Sequence, residues 1–321
     1  MVAGGAGETT TTVCVTGAGG FIASWLVQRH LSSGKYVVHC AVREPSDPKN
    51  AHLKALEGAA ERLRLFKADM LDHASVAAAV AGCAGVFHVA SPAEVVGPAV
   101  AGTRVVLGAC HEAGVRRVVV VSSVAAVAVN PNCPPGVDLD EEWWSDEAFC
   151  RAIHGWYFLS KTLAERVAFA FAGETGLDVV SVCPSWVLGP LLQPTVNNSS
   201  LTLIDYLNKG EHDTVDHKMK NVVDVRDLAE ALVLAYETPA ATGRYICRAY
   251  PMSMTEMLGV IKGFYPDHTY PTNFVKVQDE RMFTSEKLRA LGWRHRTAEE
   301  TLPETLKDTV ESYKAAGILN F

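Results

Sequence analysis

The sequence has no Cys-x-x-Cys pair, no group of His, Cys, Asp and Glu at metal-ligand spacing, and no internal repeat. These absences argue against a zinc site, a thioredoxin-type redox motif and a solenoid or propeller. Long apolar runs are lacking too: stretches such as 118–129 are too short to span a bilayer. Basic residues are in the minority, 29 against 36 acidic, leaving a net charge of −7. That balance argues against nucleic acid or an anionic membrane as the main partner. Residues 1–12 are rich in Gly and Thr and lack Lys and Arg, so they read as a disordered leader and not as a signal peptide. The eight cysteines are scattered, several within apparent strands, as expected of reduced thiols in a cytoplasmic protein.

What is present begins at Val13-Cys14-Val15, a short apolar strand that runs into Thr16-Gly17-Ala18-Gly19-Gly20-Phe21-Ile22-Ala23 and then a helical stretch. Strand, glycine turn and helix in that order form the context of a phosphate-cradling loop. Gly17 permits the tight turn, Gly20 lets the backbone approach a pyrophosphate, and Ala23 lets the helix lie against the sheet. Unpaired N–H groups at the helix start would face the anion. At the end of the second strand, Tyr36–Val42, an NAD enzyme usually carries an acid for the ribose hydroxyl. Here Arg43 follows, with Lys49 six residues on. A guanidinium grips a 2′-phosphate that a carboxylate would repel, so the expected cofactor is NADP(H). Strand alternation turns Glu44 away from Arg43.

Further apolar strands recur at Leu63–Ala68, Gly85–Ala90, Arg117–Ser123 and Asp178–Pro184, between helical stretches. β-branched runs of this kind suit strands covered on both faces. The expected fold is α/β, a right-handed, doubly wound parallel sheet of Rossmann type with a smaller C-terminal lobe. Residues 13–190 form its dinucleotide-binding part, to which 224–247 returns through a capped amphipathic helix. Residues 191–223, which show no clear period, and 248–321 form the substrate lobe over the carboxyl edge of the sheet.

Tyr157 and Lys161 stand four apart in Trp156-Tyr157-Phe158-Leu159-Ser160-Lys161, on one face of a helix. An ammonium group there is expected to lower the phenol pKa and let it pass a proton to a carbonyl oxygen. Ser123, at the end of the fifth strand, would hold that carbonyl; Ser122 faces the other way. Lys161 would also bond the nicotinamide ribose. His154 reads as a surface histidine, Trp143 and Trp144 as packing residues. Glu141, Glu142, Asp146 and Glu147 read as a solvated acidic face.

With Ser123, Tyr157 and Lys161 after the glycine turn, the chain resembles an extended short-chain dehydrogenase/reductase. More narrowly it is similar to the plant cinnamoyl-CoA reductase and dihydroflavonol reductase group, from about Val13 onward. The resemblance is densest in Val42-Arg43-Glu44-Pro45-Ser46-Asp47-Pro48-Lys49-Asn50-Ala51-His52-Leu53 and in Gly189-Pro190-Leu191-Leu192-Gln193-Pro194-Thr195-Val196-Asn197. It implies cofactor contacts at Thr16, Gly17, Gly19, Gly20, Phe21, Ile22, Arg43, Lys49, Asp69, Met70, Val89, Ala90 and Ser91. Others are implied at Tyr157, Lys161, Pro184, Val187 and Ser199. Substrate contacts are expected at Val124, Ser185, Trp186, Leu192, Gln193, Thr202 and Asp205, and no metal.

The implied reaction adds hydride to a hydroxycinnamoyl thioester while Tyr157 protonates the oxygen; the hemithioacetal then expels CoA to leave an aldehyde. The partner is a small phenylpropanoid, the protein a monomer or weak dimer, its setting lignin formation or defence. The pattern departs from the group at Phe158, where it carries a cysteine, and at Thr202 and Asp205, where a histidine and a lysine meet the CoA ester. Lys209, His217, Lys218, Lys220, Arg244 and Arg248 are candidates to compensate. Reduction of a free aldehyde or flavonoid ketone is the alternative, as is NADPH binding without turnover. The cofactor assignment predicts that Arg43→Asp moves the NADPH/NADH ratio of kcat/KM towards NADH by roughly tenfold or more. An unchanged ratio would place the assignment on the wrong residue.

Overall fold

Runs of Val, Ile and Cys that pack on both faces make strands here, and they join a parallel sheet. The computed structural model describes residues 10–91, 96–276, 281–296 and 298–321, the side chains of 298–301 apart. Twelve strands occur among them: β1 (Thr11–Thr16), β2 (Tyr36–Val42), β3 (Leu63–Lys67), β4 (Gly85–His88), β5 (Arg117–Val121), β6 (Asp178–Pro184), β7 (Trp186–Leu188), β8 (Thr214–His217), β9 (Met219–Asp224), β10 (Gly243–Cys247), β11 (Tyr250–Ser253) and β12 (Asn273–Lys276). The seven-stranded sheet runs β10-β6-β5-β4-β1-β2-β3, and every pairing in it is parallel. Strand order reverses beside β1, so a crevice opens at its carboxyl end, where ligands of doubly wound sheets lie.

The helices that matter to the site are α1 (Phe21–Ser32), α2 (Val96–Glu112), α3 (Glu147–Ala152), α4 (Trp156–Thr175), α5 (Asn198–Leu207) and α6 (Val225–Glu237). Asp224 caps α6 by accepting from the Arg226 amide. Beside the main sheet, β7, β9 and β11 form a three-stranded sheet and β8 pairs with β12. Residues 191–223, which have no clear period, thus hold α5, β8 and most of β9. The helix buries only Ser200, Leu203, Ile204 and Leu207, too narrow a stripe to read in isolation. The leader is also shorter than expected. Thr11 and Thr12 pair with Tyr36 and Val37, since β-branched threonine suits a strand edge. Residues 1–9, where the rest of the expected leader falls, lie outside the described residues.

Two buried arginines fix the end of the sheet. Arg117, at the start of β5, donates from Nε to Asp178 at 2.7 Å. Its Nη atoms donate to the carbonyls of Ala235, Thr238 and Ala241 at 2.9, 2.6 and 3.1 Å, which caps the last turn of α6. Arg244 on β10 donates from Nε and Nη2 to Glu165 of α4 at 2.9 and 3.1 Å. Glu165 is 1% exposed and also accepts from Ser122 Oγ at 2.8 Å and from Cys183 Sγ at 3.3 Å. The Arg244 guanidinium lies 3.6 Å from the centroid of the Trp144 ring. Removing one partner of such a pair strands the other charge in the interior. Arg244→Met should therefore cost about 3–5 kcal/mol, read as a lower denaturant midpoint at constant m; a midpoint within error of the parent would show that Glu165 does not need the guanidinium.

Candidate active site

The carboxyl ends of β1, β4 and β5 open into one cleft of about 1550 Å³, lined from the glycine turn to β9. A single small ligand fills roughly 300–1,000 Å³, so a dinucleotide and a substrate fit side by side. Thr16 organises its floor. Its Oγ1 accepts the N–H groups of Val89 and Ala90, both at 3.2 Å, and meets Nδ1 of His88 at 3.0 Å. The ends of β1 and β4 are thereby clamped together. Burial, with the Lys161 charge nearby, pushes the His88 pKa down to about 4, so this histidine is neutral and structural.

Gly17 has φ +65, and a Cβ there would stand 3.0 Å from Cα and Cβ of Ala90. A side chain at Gly19 would run into Oδ1 of Asn50. Gly20 is the N-cap of α1 and supplies no side-chain cap to its amides. Close approach of the backbone and an uncapped helix start are what a pyrophosphate requires. Across the cleft, Ser185 Oγ is buried without a hydrogen-bond partner, an orphaned hydroxyl in the lining. The residues present therefore fit a bound dinucleotide.

All the residues expected to touch the cofactor line this cleft: Thr16, Gly17, Gly19, Gly20, Phe21, Ile22, Arg43, Lys49, Asp69, Met70, Val89, Ala90, Ser91, Tyr157, Lys161, Pro184, Val187 and Ser199. Arg43 is exposed there. Glu44 is held aside by Ser46, whose amide and hydroxyl donate to it at 3.2 and 2.6 Å. Lys49 is paired with Asp47 at 2.8 Å.

Ser123, Tyr157 and Lys161 meet at the middle of the cleft. The Ser123 side chain accepts from the Ala125 amide at 3.1 Å and stands beside the Tyr157 phenol, where it opposes part of the rise in the phenol's pKa. Ser122 points to Glu165 instead, as strand alternation requires. The electrostatics differ from the sequence expectation. Lys161 does not lower the phenol pKa: its Nζ donates to the Val121 carbonyl at 3.4 Å, and burial raises the Tyr157 pKa, only partly opposed by Ser123. Tyr157 is 38% exposed, but the exposed side faces a cleft that protein surrounds. Lys161 itself is pushed down to about 8 by burial, with Cys183 and Glu165 opposing. In a buried setting desolvation outweighs the mutual field of the two groups.

Of the expected substrate residues, Val124, Ser185, Trp186 and Thr202 line the cleft, whereas Leu192, Gln193 and Asp205 do not. Gln193 is buried and donates to the Thr195 carbonyl at 3.0 Å. Asp205 has its side chain 74% exposed, 3.9 Å from Lys209, because it sits on the outer face of α5. Among the candidate cations, Lys218 and Lys220 reach the cleft; Arg244 is spent on Glu165 and Arg248 donates to Asn221 at 3.1 Å. Glu141 is not part of a solvated face either. It is half-buried, accepts the Ile246 amide at 2.8 Å, and burial raises its pKa. Trp143 packs in a small core cluster, and His154 is exposed at φ +55. Phe149, Ile153, Phe158 and Phe283 add an apolar wall to the cleft. Phe158 follows Tyr157 on α4, where the sequence departs from the group's pattern; Phe149, Ile153 and Phe283 carry no sequence signal, since they come from a short helix, its neighbouring turn and a distant loop.

Among the described residues no group of three His, Cys, Asp or Glu could hold a metal ion, and no helix is long and apolar enough to cross a membrane. The model of the NAD dependent epimerase/dehydratase family matches residues 13–247. The chain is similar to cinnamoyl-CoA reductase 1 of Petunia hybrida, 46% identical over 308 residues, 93% of this chain and 92% of the relative. Its structure is similar to that of vestitone reductase from alfalfa (Medicago sativa), with a TM-score of 0.84 and 31% identity over 96% of this chain and 99% of that one. It is similar also to Gre2 in complex with NADPH from Candida albicans, with a TM-score of 0.80 and 26% identity over 95% of this chain and 99% of that one. The glycine turn, the clustered Ser, Tyr and Lys and these matches agree: the chain belongs to the NAD dependent epimerase/dehydratase family, in its group similar to the cinnamoyl-CoA reductases.

Proposed function

We propose that this protein is an NADPH-dependent reductase of a phenylpropanoid carbonyl, converting a hydroxycinnamoyl-CoA thioester to the hydroxycinnamaldehyde. The observation that carries the reading is the meeting of Ser123, Tyr157 and Lys161 inside a cleft that begins at an uncapped helix start. Exposed Arg43 at the end of β2, with Glu44 drawn aside to Ser46, favours the 2′-phosphorylated cofactor. The apolar wall of Phe149, Ile153 and Phe158 suits an aromatic ring. Eight free, buried cysteines suit the cytosol. Lignin formation and defence are the processes such a product serves.

When bound, the nicotinamide supplies a hydride to the thioester carbon. Ser123 and Tyr157 hold the carbonyl oxygen, and the Tyr157 Oη–H bond breaks as its proton moves to that oxygen. A raised phenol pKa suits this direction, because the acid must carry its proton at neutral pH. Tyr157 then takes the proton back from the hemithioacetal hydroxyl while the carbon–sulfur bond breaks, and the thiol leaves with a solvent proton. Lys161, held beneath by the Val121 carbonyl, keeps positive charge below the phenolate formed in passing.

Tyr157→Phe should lower kcat on feruloyl-CoA by roughly 10²–10⁴-fold while NADPH binding, followed by fluorescence, stays near the parent value. Turnover at the parent rate would remove the tyrosine as the acid. In the parent enzyme kcat/KM should be level near neutrality and decline above a pH of about 8, as Lys161 loses its proton and Tyr157 begins to follow. A profile that stays level to about pH 10 would show that the ammonium is not needed.

A further inference from the structure

We propose that Lys218 and Lys220 form an anion-binding subsite in the substrate half of the cleft, which takes a phosphate group of the CoA portion of the thioester. This deepens the thioester reading above and rests on it. Both side chains border the cleft where the chain enters β9, and both are half-buried. The Lys220 ammonium lies between two rings, 5.4 Å from the centroid of Trp186 on β7 and 5.8 Å from that of Tyr206 on α5. It therefore spans the space between the small sheet and the helix, next to the Trp186 segment that follows Pro184 and Ser185.

Neither ammonium has a carboxylate partner within ion-pair distance among the described residues. The nearby acids do not close on them: Asp216 is exposed and acts on Lys220 only from a distance, and Asp205 is turned outward to Lys209. Burial and the charge of Lys218 hold the Lys220 pKa below its ordinary value. Two cations that no carboxylate among the described residues neutralises, standing in one wall, are an unfavourable arrangement unless an anion joins them.

That anion is not the cofactor's. The pyrophosphate has its own cradle at Gly17, Gly19 and Gly20, and Arg43 and Lys49 stand on the same side of the cleft, beyond β1. The cleft face of α5 offers no cation: Thr202 lines it, and its hydroxyl donates to the Asn198 carbonyl at 3.0 Å. Positive charge enters this half from β9 instead, opposite the helix. An acyl group resting on Phe149, Ile153 and Phe158 leaves the remote end of the substrate to be recognised by charge. Lysine is a compact, strongly hydrated cation that serves phosphate as a point charge.

The test uses the full-length protein and the double variant Lys218→Met/Lys220→Met, in which methionine keeps an unbranched apolar stem against Trp186. Two thioesters of one acid are compared, feruloyl-CoA and S-feruloyl-N-acetylcysteamine, the second lacking every phosphate. Binding of free coenzyme A to the NADP⁺-loaded protein is measured in parallel by calorimetry. The variant should raise KM for feruloyl-CoA on the order of tenfold and weaken coenzyme A binding alike, with kcat within a factor of about two. KM for the N-acetylcysteamine ester should stay at the parent value, and only the parent's KM for feruloyl-CoA should climb steeply with salt. Equal changes for the two esters, or no change for either, would overturn the subsite while leaving the thioester reading in place. A parent protein that turns over neither ester but reduces coniferaldehyde would overturn the thioester reading, and the subsite's occupant with it.

Discussion

A single buried carboxylate, Glu165, sets the geometry on which the cleft depends. It stands on α4 two turns beyond Tyr157 and one beyond Lys161, and it accepts from three neighbouring strands: Ser122 after β5, Cys183 on β6 and Arg244 on β10. The helix can therefore meet the sheet in only one rotation and one register. With Ser122 committed to Glu165, alternation along the chain leaves Ser123 facing the other way, towards the phenol. Such a pair adds little net stability over a well-packed apolar replacement, since both charges have left water. Its contribution lies in specifying an arrangement: an apolar contact would tolerate a slid helix, whereas four directed hydrogen bonds do not. Glu165 also opposes the loss of the Lys161 proton, so positioning and charge come from one residue.

The other half of the cleft is built by exclusion of side chains. Thr16 binds the amides after β4 and so brings Ala90 against Gly17, where any Cβ would crowd. The backbone is thereby left bare at the start of α1, and the cleft floor owes its shape to hydrogen bonds that no ligand has to supply. Such preorganisation lowers the cost of binding, because these groups are already ordered before a dinucleotide arrives. The neutral His88 completes it, pinned between Thr16 and Thr103, with Nε2 at 3.3 Å from the Thr103 hydroxyl.

How much of this was legible in the sequence follows from how local each feature is. Strands β2 and β6 fall at the expected bounds because their β-branched runs are buried on both faces, and the glycine turn is read correctly because three consecutive local signals agree. A period of two made it legible that only one of Ser122 and Ser123 can face the phenol; the bond from Ser122 to Glu165, which decides between them, spans 43 residues and was not. Leu192, Gln193 and Asp205 were carried over by resemblance and do not line the cleft; the contacts of Gln193 with Thr195 and of Asp205 with Lys209 are ones that string similarity does not encode. The phenol's raised pKa was missed because spacing on a helix gives the nearness of a charge but not the depth of burial, and burial is the larger effect here. Phe149 and Phe283 line one cleft across more than a hundred residues of chain, so no window of sequence contains the wall they form.

The charge distribution along the cleft then limits what can react in it. Cations stand at its two extremities, Arg43 and Lys49 on one side and Lys218 and Lys220 on the other, with an apolar wall and the Ser123–Tyr157 pair between them. A neutral aldehyde would use the wall and the hydroxyls but leave one pair of cations unsatisfied, whereas a phosphate-bearing ester engages all three regions. Binding energy drawn from the remote end holds the substrate in the cleft and lowers KM without altering the chemical step. On the thioester reading proposed above, breaking the carbon–sulfur bond would release a thiol that still carries those phosphates. Escape of that product competes with the grip that positioned the substrate, and moderate lysine contacts, half-exposed to solvent, keep that grip reversible.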